Sequence, residues 1–119
     1  MAKQDVPERV AAELLAAEWA RKRGNEGRAR VCARRAAGWA IAAHLDRRGM
    51  SRSSDSALEL LRHIQQDASF SESVRAASRR LAARVTPEHQ LPHVEDPLED
   101  ARRIVGELLS NTPPAEAKP

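Results

Sequence analysis

Side chains able to do chemistry are few in this chain, and arginine dominates them. Seventeen Arg, four His and one Cys occur among 119 residues, with no Tyr and one Phe. His89 and His93 stand four apart near Glu88, Glu95 and Asp96, donors that zinc accepts. Pro92 falls between them and breaks the helical face that such ligation needs. Two exposed loop histidines are therefore expected, and no metal. Cys32 sits among arginines that would favour a thiolate, but its helical setting fits a small buried residue better. His44 is expected at the edge of the core, hydrogen-bonded to a neighbour, and His63, beside Arg62, at the surface. The glycines are isolated, so no loop cradles a phosphate, and no Ser-His-Asp spacing stands out. No cofactor is expected.

The strongest chemical signal is charge. From Arg21 to Arg52 ten Lys/Arg face Glu26 and Asp46 alone, a balance of +8. From Leu91 to the C-terminus three cations face six anions after residue 94, a balance of −3. Arg21, Arg23, Arg28, Arg30, Arg34 and Arg35 could contact several phosphates of RNA or a nucleotide. The other reading is internal: a solvated basic face, or the acidic last helix folded back against it. With almost no aromatic residues to stack bases and no recognition helix, any nucleic-acid binding would be backbone-directed and non-specific.

Five helices must position these groups. Asp5-Val6-Pro7-Glu8 reads as a helix start, and the pattern Val6, Val10, Leu14, Ala17, widened by Ala11 and Leu15, runs to a stop at Gly24. Asn25 caps the next helix at once, giving a tight antiparallel hairpin. That second helix, from Asn25 to Gly49, organises the rest. Its segment Ala36-Ala37-Gly38-Trp39-Ala40-Ile41-Ala42-Ala43-His44-Leu45 is apolar nearly all round, so neighbours should pack on several sides. Trp39 is expected in that core, where truncation would cost roughly 3–5 kcal/mol. Ser56 with Glu59 opens a short third helix. Phe70, Val74, Ala77, Leu81 and Val85 step along a fourth that ends at Pro87. Asp96-Pro97-Leu98-Glu99 starts the last, where Glu99 should pair with Arg103. The expected fold is all-α, an antiparallel four-helix bundle with an additional short helix, its core built from Leu14, Trp39, Ile41, Leu45, Leu61, Leu81 and Ile104.

Composition agrees. The charged fraction is 31% and strand-favouring residues are scarce. The length suits one domain, residues 1–110, followed by a disordered tail, 111–119, rich in Pro and Ala. No signal peptide or membrane-spanning run is visible, and a single Cys suits a reducing compartment, so a cytoplasmic protein without a membrane partner is expected.

The order of parts resembles the HEPN family of small helical bundles. The points of similarity are the stop at Gly24-Asn25, the run Arg28-Ala29-Arg30-Val31-Cys32-Ala33-Arg34-Arg35-Ala36-Ala37-Gly38 before the apolar segment, and the last helix opened by Asp96-Pro97-Leu98-Glu99-Asp100. The resemblance spans roughly Val6 to Leu109. It implies a bundle commonly paired into homodimers, linked to nucleotide or RNA chemistry and to toxin–antitoxin pairs with a nucleotidyltransferase partner. Catalytic members place a His four to six residues after an Arg and cut RNA at the dimer cleft, Arg stabilising phosphorane charge and His moving the proton. Arg84 and His89 have that spacing. Chance alone supplies about 1.7 such matches in this composition. Pro87 intervenes, and Val85 stands where the family motif carries Asn beside the Arg. A non-catalytic dimeric interaction module is the reading these residues favour, ahead of an endoribonuclease using Arg84 and His89 or a non-specific binder using the basic patch.

Overall fold

A computed structural model describes residues 5–50, 56–83 and 96–109. They form five helices and no strand: α1 (Asp5–Lys22), α2 (Glu26–Arg47), α3 (Ala57–Gln65), α4 (Glu72–Ala82) and α5 (Pro97–Leu109). The expected all-α bundle with one short helix is the observed one. Helix α2 lies in the middle and touches the other four. Among the described residues no helix is long and apolar enough to cross a membrane.

Local chemistry sets the boundaries. Asn25 accepts from Arg28 N at 3.0 Å, Ser71 from Val74 N at 3.1 Å, and Asp96 from Leu98 N at 2.8 Å. Each satisfies a donor that the first turn leaves orphaned. The Ser56 cap is longer, 3.4 Å to Glu59 N. Helices α1 and α2 end alike. Gly24 (φ +80°) and Gly49 (φ +70°) adopt the left-handed conformation that closes a Schellman motif. Asn25 N then reaches Ala20 O, and Met50 N reaches Leu45 O.

The core is built from small residues. Ala17, Ala29, Ala33, Ala36, Ala37, Ala40, Ala77 and Ala101 are fully buried, interleaved with Ile41, Leu45, Leu61, Leu81 and Ile104. Leu14 is half-buried against this cluster. Trp39 departs from expectation: it is 37% exposed, outside the core. The reason is rotational. Arg28, Val31, Arg35 and Trp39 share one side of α2, and all are exposed. The inward sides carry Ala, which lets the backbones approach too closely to admit an indole. Truncating Trp39 should therefore cost less than a buried indole would. Glu99 also differs, meeting Arg102 at 3.5 Å, while Arg103 reaches Ser73 Oγ.

Helices α2 and α3 approach closely at Gly38. A Cβ there would stand 2.7 Å from Ala57 Cβ and 3.0 Å from its Cα, at the first residue of α3. At Gly106, also helical, an added Cβ meets nothing within 4 Å. Gly38→Ala should lower stability by roughly 1–3 kcal/mol through overpacking. Gly106→Ala should raise it by up to about 1 kcal/mol through helix propensity. Denaturant unfolding of the two variants checks the opposite signs.

Candidate functional site

The basic stretch does not form one face. Arg30, only 6% exposed, turns inward from α2 to the end of α4. Its Nη2 lies 2.6 Å from Ala83 O and within 3.3 Å of Arg80 O and Leu81 O. One turn on, Arg34 donates from Nε to Leu81 O at 2.9 Å and from Nη2 to Ala83 O at 3.0 Å. Arg80 O also accepts from Ala83 N at 3.2 Å, while Leu81 O and Ala83 O lie at or past the last turn, and the two cations sit at the negative end of the helix dipole. Burial pulls the pKa of both guanidiniums down, and each has a neighbouring cation that adds to it, Arg34 beside Arg30 and Arg62 beside Arg34.

Arg21 turns instead towards α5. It donates to Asp96 Oδ2 at 2.7 Å and to Glu26 at 3.0 Å, which raises its pKa and holds Asp96 below the usual carboxylate range. Arg35 lies 4.0 Å from Glu13. Arg23 and Arg28 are exposed and line a shallow groove of about 410 Å³ with Ala16, Trp19 and Asn25. So the six arginines divide: Arg30 and Arg34 hold the end of α4, Arg21 holds the start of α5, Arg35 lies near Glu13 of α1, and Arg23 and Arg28 face solvent beside Trp19.

A second cleft, about 480 Å³, opens where α2 meets α3 and the end of α4, with Arg30, Arg34 and Arg62 on its walls. Arg62 was not among the arginines of the basic stretch, because nothing in the sequence relates it to Arg34 before the helices pack. Below this region Arg80 and Asp100 form a buried ion pair, Nη2 to Oδ1 2.8 Å, with the Asp100 side chain 4% exposed.

The remaining candidates are placed as follows. Cys32 is buried, and burial raises its pKa, so it is no thiolate nucleophile. His44 stacks at a tilt on Phe70, ring centres 5.3 Å apart, with Nε2 3.4 Å from Arg48. Burial and the nearby Arg48 lower its pKa. His63 is a surface partner of Asp67. Among the described residues no group of three or more His, Cys, Asp or Glu is placed to hold a metal ion. Arg84, His89 and His93 lie outside the described residues.

The outer surface of α1 and α2 corrects the sequence reading: Ala11 and Leu15, expected to widen the apolar stripe of α1, are exposed, as Trp39 is. Leu15 is 58% exposed and Trp19 63%, four residues apart on one side of α1. Trp39 is partly covered by the Arg9 guanidinium, 4.8 Å from its ring centre. The signal was present as a second spacing on α1, Glu8, Ala12, Leu15, Trp19 and Lys22, all exposed.

Two outcomes follow from the placed arginines. Arg30→Met should cost roughly 1–3 kcal/mol, since it leaves helix-end carbonyls short of charged donors; faster amide exchange at the end of α4 than in α5 locates the loss. Asp96 has a folded pKa below its unfolded one, so its stabilising effect is complete above about pH 4 and disappears as pH falls through the folded value. Acid titration of unfolding midpoints should show that limb, and Arg21→Gln should flatten it. Comparison of the chain with known protein families, with curated proteins and with solved structures finds no match, and what its surface can do must be read from its own geometry.

Proposed function

We propose that this chain is a non-catalytic helical interaction module that works as a homodimer, paired through the outward face of α1. The observation that carries this is the exposure of Leu15 and Trp19, the two most exposed large apolar side chains described. Tryptophan held out of a core is costly to leave in water and is enriched at binding hot spots.

The order of residues on that face favours a second copy as the occupant. Glu8, Ala12, Leu15, Trp19 and Lys22 place an acid at one end, a cation at the other, and apolar residues between. A two-fold contact requires a self-complementary patch. Two α1 helices laid antiparallel with Leu15 on the axis put Glu8 opposite the partner's Lys22 and Trp19 against the partner's Ala11. The register fits because Leu15 lies midway between Glu8 and Lys22. Ala11 and Ala12, both exposed, leave room for the indole. The HEPN resemblance, with its homodimers and its setting in nucleotide or RNA systems beside a nucleotidyltransferase, supports the same reading.

Sedimentation at tens of micromolar should give a dimer. Leu15→Glu places two carboxylates on the axis and should yield a monomer with an unchanged helical spectrum. Glu8→Lys should weaken the dimer by like-charge opposition, and adding Lys22→Glu should restore it. A monomeric parent chain, or a Leu15→Glu variant as dimeric as the parent, would sink the proposal.

A further inference from the structure

The cleft between α2, α3 and the end of α4 is built from like charges. Arg30 and Arg34 reach it from α2 and Arg62 from α3, while Val31, Leu58 and Ala82 form its apolar wall. Among the described residues the nearby acids, Asp100 towards Arg30 and Glu59 towards Arg62, offset this charge only in part. Asp100 is engaged by Arg80, and Glu59 meets Arg62 only at 3.6 Å on an exposed surface.

The carbonyl bonds described above matter here for what they do not do. A carbonyl accepts a hydrogen bond but brings no negative charge, so Arg30 and Arg34 are fixed in place and remain full cations. Their Nη1 groups make no hydrogen bond among the described residues. Two immobilised guanidiniums lose little freedom on binding, and each has its Nη1 left to donate to a phosphate oxygen. A tetrahedral dianion among three guanidiniums would also relieve their mutual repulsion. The volume, about 480 Å³, lies within the range of small-molecule sites.

We propose that this cleft binds the phosphate group of a small molecule, with Arg30, Arg34 and Arg62 holding the oxygens and Val31 and Leu58 flanking whatever the phosphate is attached to. The site is independent of the dimer face, which lies on α1.

Isothermal titration and thermal melting of the full chain test it, with inorganic phosphate, adenosine monophosphate, and sodium chloride at matched ionic strength. Saturable one-to-one binding and a raised melting temperature are expected with a phosphate and not with chloride. Adenosine monophosphate binding more tightly than inorganic phosphate identifies a phosphomonoester, and equal affinity identifies the free ion. Arg62→Ala removes an exposed side chain that α4 does not depend on, and should weaken binding by about tenfold or more. Glu59→Gln, which frees Arg62, should strengthen it. Equal stabilisation by chloride, or full affinity in Arg62→Ala, overturns the assignment. So does an RNA oligonucleotide without terminal phosphate that binds the same residues more tightly than the monophosphate.

Discussion

An α-helix leaves its last four carbonyls without donors of its own, and five such ends must be satisfied in this small bundle. Two are closed by the chain itself, through left-handed glycines at Gly24 and Gly49. The other three receive donors from a neighbouring helix. Arg75 reaches Gln65 O at the end of α3, Arg30 and Arg34 serve the end of α4, and Arg47 donates to Leu108 O at 2.8 Å near the end of α5. Three of these four arginines stand on α2. The central helix therefore holds its neighbours by their negative poles as well as by apolar contact.

That arrangement suits a core made of alanine. Small side chains contribute little buried area each, but they allow backbones to come close, as where Gly38 meets Ala57. Close backbones put arginines on one helix within reach of carbonyls on the next. The same closeness expels bulk. Both tryptophans are found at the surface, and Phe70 is the one aromatic ring in the core cluster. Surplus apolar area is thus displaced to the outer face of α1 and α2, where it can serve association.

Charge follows a similar division. Of the cations between Arg21 and Arg52, Arg21 pairs with Asp96 and Glu26 and Arg35 lies near Glu13, while neutral carbonyls hold Arg30, Arg34 and Arg47. Acidic α5 contributes Asp100 to Arg80 in addition, and Glu18 of α1 pairs with Arg102. Carboxylates neutralise charge and carbonyls only orient it. Arg30 and Arg34 are therefore held without a carboxylate in direct contact, near Arg62, and Arg23 and Arg28 carry their charge at the solvent surface.

The sequence by itself determined most of what depends on residues three to five apart, though Glu99 took Arg102 and not Arg103. The caps at Asn25, Ser56 and Asp96, the stops at Gly24 and Gly49, and the stripes of α3 and α5 are local hydrogen bonds and local periodicity, legible without the fold, whereas the fourth helix, expected from Phe70 to Pro87, spans only Glu72–Ala82. It could not say which side of α2 faces out, because a helix apolar nearly all round has no strong amphipathic direction, and Trp39 was misplaced for that reason. Nor could it say whether Arg30 meets a phosphate or the end of α4, fifty residues on, or that Arg62 would join it. Those outcomes belong to packing, since a long guanidinium takes the partner that neighbouring backbones bring within about 3 Å.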